Sequence, residues 1–201
     1  MSGREFLLLS ATEADRSGLV ADLTGFIAER GCNVEDSRIA VLGGYAGLMV
    51  LLSGEPAELK AVLDDLEQLR ERSGIRAVPR RVAVRRTASE LEPSHHLVEA
   101  SAIDHEGIIH ALAEAVRRGG GNILELESAT EAAPMSGEPL FTLRMSVRFP
   151  DQADQREQLS KELEAVAESE GIELEVHQVQ LPSGAPIPHG PERRTVPRDI
   201  R

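Results

Sequence analysis

Asp15, Gly18 and Asn33 recur as Asp104, Gly107 and Asn122, each 89 residues further along the chain. The chemistry these residue types offer at this spacing is anion binding. An Asp or Ser just ahead of a helix can cap it. A glycine lets another group come close to the backbone, with no side chain in the way. The free N–H groups of a helix start attract a carboxylate. The first turn is Asp15, Arg16, Ser17 and Gly18, with Leu19 opening the helix and Asn33 and Val34 opening the next strand. Its copy is Asp104, Gly107 and Ile108, followed by Asn122 and Ile123. A plain helix cap with a turn glycine accounts for the same residues and would be duplicated in the same way. Asp15 or Ser17, and Asp104 in the copy, are the expected caps.

The elements that must hold these turns are legible from periodicity. Leu19, Val20, Leu23, Phe26 and Ile27 fall at i, i+1, i+4, i+7 and i+8, one face of a helix. Their counterparts are Ile108, Ile109, Leu112, Ala115 and Val116. Short apolar runs precede both helices, Phe6 to Leu9 and Leu97 to Ala100, and read as strands. Gly31 and Gly120 follow the helices, where a left-handed residue is expected. Gly43-Gly44 then marks a hairpin, and Gly47 to Ser53 a covered strand. Leu59, Val62, Leu63, Leu66 and Leu69 predict a second helix opening near Pro56 and ending at Gly74. A last strand contains Pro79, which marks it as an edge or a bulge. The second copy keeps this order but lengthens the hairpin loop through EAAPMSGEP.

The chain of 201 residues thus divides into two units of fold class α+β, each with the order βαββαβ. Each is expected to form a ferredoxin-like four-stranded antiparallel sheet with two helices on one face. The expected bounds are 1–86 for the first domain, 87–96 for a polar linker, 97–181 for the second domain and 182–201 for a disordered tail rich in Pro and Gly. Domains of about 80 residues bury only about 60–65% of the surface their unfolded chain exposes, which favours packing onto each other or onto a second chain, a homo-oligomer.

Composition excludes several functions. The net charge is −12, with residues 1–78 at −5 and 97–181 at −11. A nucleic-acid reader needs a basic face, so direct nucleic-acid binding is not expected. The one cysteine, Cys32, rules out an intrachain disulfide and fits a reducing cytoplasm. No apolar run is long enough to span a membrane and no signal-peptide pattern opens the chain. Cys32 has no His/Asp partner motif and follows a helix C-terminus, where the dipole disfavours a thiolate. His95-His96 fall in the linker, and His105 and His110 are five apart, so no metal spacing results. Walker, GxSxG, HExxH and GxGxxG motifs are missing from the sequence. Catalytic residues, metal ligands and cofactors are therefore not expected, and an enzyme is not predicted.

The βαββαβ order, the DRSG turn and the later GCN resemble the ACT domain family, small-molecule regulatory modules. The resemblance covers about residues 4–181. The stretch GCNVEDSRIAVLGGYAGLMVLLSG is similar to the first domain of transcriptional repressors that carry two ACT domains and a longer second hairpin. The resemblance implies binding of a small amino acid, glycine or similar, where two domains meet. It implies as ligand-binding residues Asp15, Arg16, Ser17, Gly18, Leu19, Asn33 and Val34, with Asp104, Gly107, Ile108, Asn122 and Ile123 in the copy. It further implies action through contact with a protein partner, a transcriptional activator, rather than DNA. The alternative is an ACT-type allosteric or assembly subunit of an amino-acid metabolic enzyme; a ligand-free dimerisation scaffold is the third reading. His105-Glu106 stand where the first copy has Arg16-Ser17, and an acidic residue beside a carboxylate pocket repels the ligand. The first turn is thus the better candidate.

Overall fold

The computed structural model describes residues 4–83, 95–133 and 137–179. These form two compact units. The first contains β1 (Glu5–Ala14), α1 (Leu19–Ala28), β2 (Asn33–Leu42), β3 (Tyr45–Gly54), α2 (Pro56–Asp64), α3 (Leu66–Ser73) and β4 (Val78–Val82). The second contains β5 (His95–Ile103), α4 (Ile108–Arg118), β6 (Asn122–Ala132), β7 (Pro139–Arg148), α5 (Ala153–Glu170) and β8 (Glu173–Val179). Each sheet is antiparallel, in the orders β2-β3-β1-β4 and β6-β7-β5-β8. The expected fold class is observed in both units. Pro79 lies in β4, an edge strand, where its missing N–H leaves no gap inside the sheet.

Alternation decides which face of each sheet is covered. In β1 Leu7, Leu9 and Ala11 are buried, and their partners Leu52, Val50 and Leu48 on β3 are buried with them. Leu19, Leu23, Phe26 and Ile27 of α1 close over that face, together with Leu59 and Val62 of α2 and Leu69 of α3. The second unit repeats the arrangement with Val98, Ala100 and Ala102 under Ile108, Leu112, Val116, Leu159 and Leu163. Each large apolar side chain buried in these cores contributes about 1.5–3 kcal/mol against the chain entropy.

Three expectations change. The apolar period from Leu59 to Leu69 predicts one helix, but the chain breaks at Asp65 into α2 and α3. Arg30 accounts for the break. Its guanidinium, 8% exposed, donates to the Asp65 carboxylate at 3.1 Å and the Gln68 side-chain oxygen at 2.7 Å while stacking on Phe26. The matching residue in the second unit is Gly119, and there α5 runs unbroken for 18 residues. A Cβ on Gly119 would stand 2.6 Å from Leu159 Cα, so the glycine is what lets α4 and α5 touch.

The second change concerns His95 and His96. Assigned to the linker from their polar neighbours, they begin β5, paired with Arg148 and Val147 on β7 and with Val179 and Gln178 on β8. His96 stacks on Phe149 at 3.8 Å between ring centroids, an apolar contact that a polar sequence count does not show. The third concerns the helix caps. Gly18 and Gly107 are themselves the N-caps, at φ 85° and 97°, and no side chain caps either helix. Residues 87–94 of the expected linker, the Pro134–Ser136 part of the long hairpin and the tail 182–201 lie outside the described residues.

Candidate functional site

The strand β1 ends at Ala14, and Asp15 donates its N–H to the Gly44 carbonyl of the neighbouring hairpin at 2.9 Å. This bond fixes where the chain leaves the sheet. Gly18 then takes the left-handed conformation that an L-residue adopts only at a cost. The helix starts immediately after it, with its first-turn amides uncapped by any side chain. Leu19 is 3% exposed and anchors the turn in the core, so only its backbone is available to a ligand.

Arg16 lies over this helix start. It donates to the Asp22 carboxylate and to the Ser73 carbonyl, both at 2.7 Å, and to the Ser17 carbonyl at 3.2 Å. A Cβ built on Gly18 would be 3.7 Å from Arg16 Nη1, so cation and glycine are in van der Waals reach. The turn therefore combines uncapped amides, a guanidinium and the two carboxylates of Asp15 and Asp22. That set suits a zwitterion: the amides and Arg16 attract a carboxylate, and the acidic groups attract an ammonium.

The second turn has the same backbone and different side chains. His105 replaces Arg16 and makes the equivalent link, with Nε2 3.3 Å from the Glu170 carbonyl at the end of α5 and Nδ1 3.2 Å from the Glu106 carbonyl. Only the imidazolium carries a proton on both nitrogens. The Glu106 carbonyl accordingly raises the His105 pKa; burial opposes it, and the Glu170 carbonyl and carboxylate and the Asp104 charge add to the rise. Ala111 stands where the first unit has Asp22, and Glu106 is exposed beside the glycine. This turn lacks the fixed cation and the paired acid of the first.

Asn33 and Val34 are not beside the turn of their own unit. Asn33 pairs with Ser53, which pairs with Phe6 near the start of β1, whereas the turn follows Ala14 at its end. Eight residues of strand separate the two levels, about 26 Å at ~3.3 Å per residue. Asn122 is displaced from Gly107 in the same way, through Arg148 and His95. The amide of Asn33 donates to Glu35 Oε1 at 3.0 Å, and the Ser53 hydroxyl donates to the same oxygen. That cluster ties the two strands at a β-bulge between Val34 and Asp36. Ile108 is 2% exposed and Ile123 half-buried, both packed on the second core. A shallow depression of about 490 Å³, lined by Leu66, Glu67, Arg70, Arg76 and Ala77, runs beside α3 and includes none of these residues.

Other chemistry is weaker. Cys32 is buried; burial first, then the Glu58 carboxylate, push its thiol up, with Arg30 partly opposing. It is thus a protonated, inert thiol at neutral pH. The sequence reading passed over one group, Glu99, Glu175 and His177 on the open face of the second sheet. Glu175 and His177 are two apart on β8 and so share a face, and Glu99 is the cross-strand partner of Glu175. His177 Nε2 is 3.1 Å from Glu175 and 3.8 Å from Glu99, whose other oxygen is 3.8 Å from Arg144. The signal lay in the Glu-x-His spacing at strand period, readable only with the pairing in hand. No helix among the described residues is long and apolar enough to cross a membrane.

Residues 5–78 match the family model of the ACT domain. Over 163 residues the chain is 29% identical to the glycine cleavage system transcriptional repressor of Escherichia coli (strain K12), covering 77% of this chain and 80% of that one. The protein from Shigella flexneri of the same name matches equally. Among solved structures, an unknown protein from Galdieria sulphuraria superposes with a TM-score of 0.76 at 28% identity, over 89% of this chain and all of that one. A candidate glycine cleavage system transcriptional repressor superposes at 0.66 with 20% identity, over 89% of this chain and 99% of that one, a likeness of fold.

Proposed function

Taking the chain as a tandem ACT-domain protein that resembles the glycine cleavage repressors, we propose that it senses a small amino acid and passes the signal to a transcription regulator by protein–protein contact. The observation that carries this reading is the first turn: a left-handed glycine N-cap, uncapped amides, and Arg16 paired with Asp22 over them. The ligand carboxylate sits on the α1 amides beside Arg16, and its ammonium faces Asp22 or Asp15. Glycine is the first ligand to test, given the relative's name. A ligand on this turn does not touch Asn33 or Val34 of its own unit, whose level in the sheet is eight residues away. The net charge of −12 supports a protein rather than DNA as the partner.

Arg16 also gives the signal a route. The side chain that lies over the turn holds the last carbonyl of α3 at Ser73. Ligand that recruits the guanidinium competes with that bond. A ligand shifts partner binding only through different affinities for two states, and Arg16 bound or released from α3 defines two such states.

Calorimetry with glycine, serine and alanine on the full chain tests the sensor. Binding that weakens at least about tenfold in Arg16→Ala, roughly the worth of a charge-assisted hydrogen bond, is expected. Absence of heat with every amino acid removes the proposal. Capture of partners with and without ligand then separates a transcription regulator from the alternative, a metabolic enzyme for which the chain is a regulatory subunit.

A further inference from the structure

The two sheets differ on the face their helices leave open. In the second unit that face carries Glu99, Arg144, Glu173, Glu175 and His177, suited to water, beside Leu97, Ile103 and Leu140. In the first it carries Phe6, Leu8, Tyr45, Met49, Leu51 and Val78. Met49 is 49% exposed, Tyr45 58% and Val78 65%. Among the described residues, four of the exposed large apolar side chains, Leu42, Tyr45, Met49 and Val78, lie on this face. A contiguous apolar sheet face of this kind marks an interface.

We propose that this face pairs with the same face of a second copy of the chain, by a two-fold axis running along the strands. The register supplies the argument. Arg80, Leu8, Leu51 and Asp36 lie in one row across β4, β1, β3 and β2, all on the open side. Rotation about an axis parallel to the strands lays β2 of one copy under β4 of the other and keeps each row at its own level. Asp36 of each copy then faces Arg80 of its partner, while Leu8 faces Leu51. The row is positive at one end, negative at the other and apolar between, so it is complementary to itself under this operation. Arg80 has no ion pair among the described residues, whereas Asp36 is held at 2.8 Å by Arg38 on its own strand. Arg80 is thus the charge that gains a partner on pairing.

Size fits as well. Three strands of ten residues and one of five, at ~4.8 Å spacing and ~3.3 Å per residue, give a face of about 550 Å² per copy, or about 1,100 Å² in total, at the low end for a specific complex. Two sheets stacked about 10 Å apart with their strands nearly aligned is the ordinary geometry of a sandwich. The proposal does not rest on amino-acid binding.

Sedimentation of the full chain from about 1 to 100 μM, the range of a modest interface, tests it. The expected result is a monomer–dimer equilibrium, abolished by Met49→Glu and by Val78→Glu. Arg80→Asp is expected to weaken dimerisation at least about tenfold through like charges, and the double variant Arg80→Asp with Asp36→Arg to recover most of it. Circular dichroism confirms folding of each variant. On the wild-type chain, Met49 should oxidise with peroxide more slowly as concentration rises, a readout that needs no substitution. A wild-type monomer throughout, or a dimer indifferent to both glutamate substitutions, overturns the proposal. A double variant no better than Arg80→Asp overturns the stated axis.

Discussion

Gly18→Ala puts the geometry of the first turn to a quantitative test. A Cβ there meets nothing closer than Arg16 Nη1 at 3.7 Å, an ordinary contact, so the cost is conformational and not steric. At φ 85° an L-residue in the left-handed region loses about 1–2 kcal/mol. The first unit has roughly 80 residues, so its unfolding entropy is about 170 cal/mol/K and 1 kcal/mol is worth about 6 °C. A fall of about 6–12 °C in the Tm of that unit is expected by scanning calorimetry on the full chain. Gly25→Ala is the matched control. It lies inside α1 with nothing within 4 Å of its would-be Cβ, and should gain about 0.5–1 kcal/mol, some 3–6 °C. Opposite signs from one substitution type in one helix isolate the effect of backbone conformation. If Gly18→Ala leaves Tm unchanged while Gly25→Ala raises it, the turn is not left-handed, and the amide platform on which the sensor reading stands is wrong.

Further outcomes are expected elsewhere. Gly119→Ala should cost the second unit about 1–3 kcal/mol in urea unfolding, since Leu159 Cα must retreat from a Cβ at 2.6 Å. Arg30→Ala should cost the first unit about 2–3 kcal/mol, as it strips Asp65 and Gln68 of their donor and Phe26 of its cover; an effect under half a kcal/mol would show that the contact contributes nothing. The histidines should titrate apart by NMR. The raised pKa of His105 means that its stabilisation is full below about pH 6.5 and is lost as pH rises through the folded value. His95, lowered by burial and then by Arg148, gives the reverse: its contribution is full above about pH 6.5 and is lost as pH falls through its folded value.

How much of this was legible in the sequence follows from which forces act locally. The repeat fixed the order of elements, because an apolar face at helical period has one way to meet a sheet. Pro56 at the start of α2 and Gly74 in left-handed conformation at the end of α3 were readable for the same reason, since backbone chemistry is local. The break at Asp65 was not, for its cause is Arg30, thirty-five residues away. The expected caps failed because Asp15 and Ser17 are good capping types, yet the left-handed glycine that follows takes the cap position itself. His95 and His96 looked like linker because their partners, Arg148 and Phe149, arrive only with the fold. For the candidate site, the turn residues were found together. That Asn33 stands at the other end of the sheet is a statement about register, and a single chain read in isolation carries little of it.

The joint at Asp65 has a mechanical meaning. Arg16 grips the far end of α3, and α3 is hinged to α2 rather than fused with it. A pull on that grip acts on a two-turn helix held to the core by Leu69 and to Arg30 through Gln68. In the second unit His105 grips the tip of α5, a stiff rod of five turns pinned at Leu159 against Gly119. The same tug there must move the whole rod or nothing. The two units thus differ in build, one with a joint at Asp65 and one with an unbroken helix.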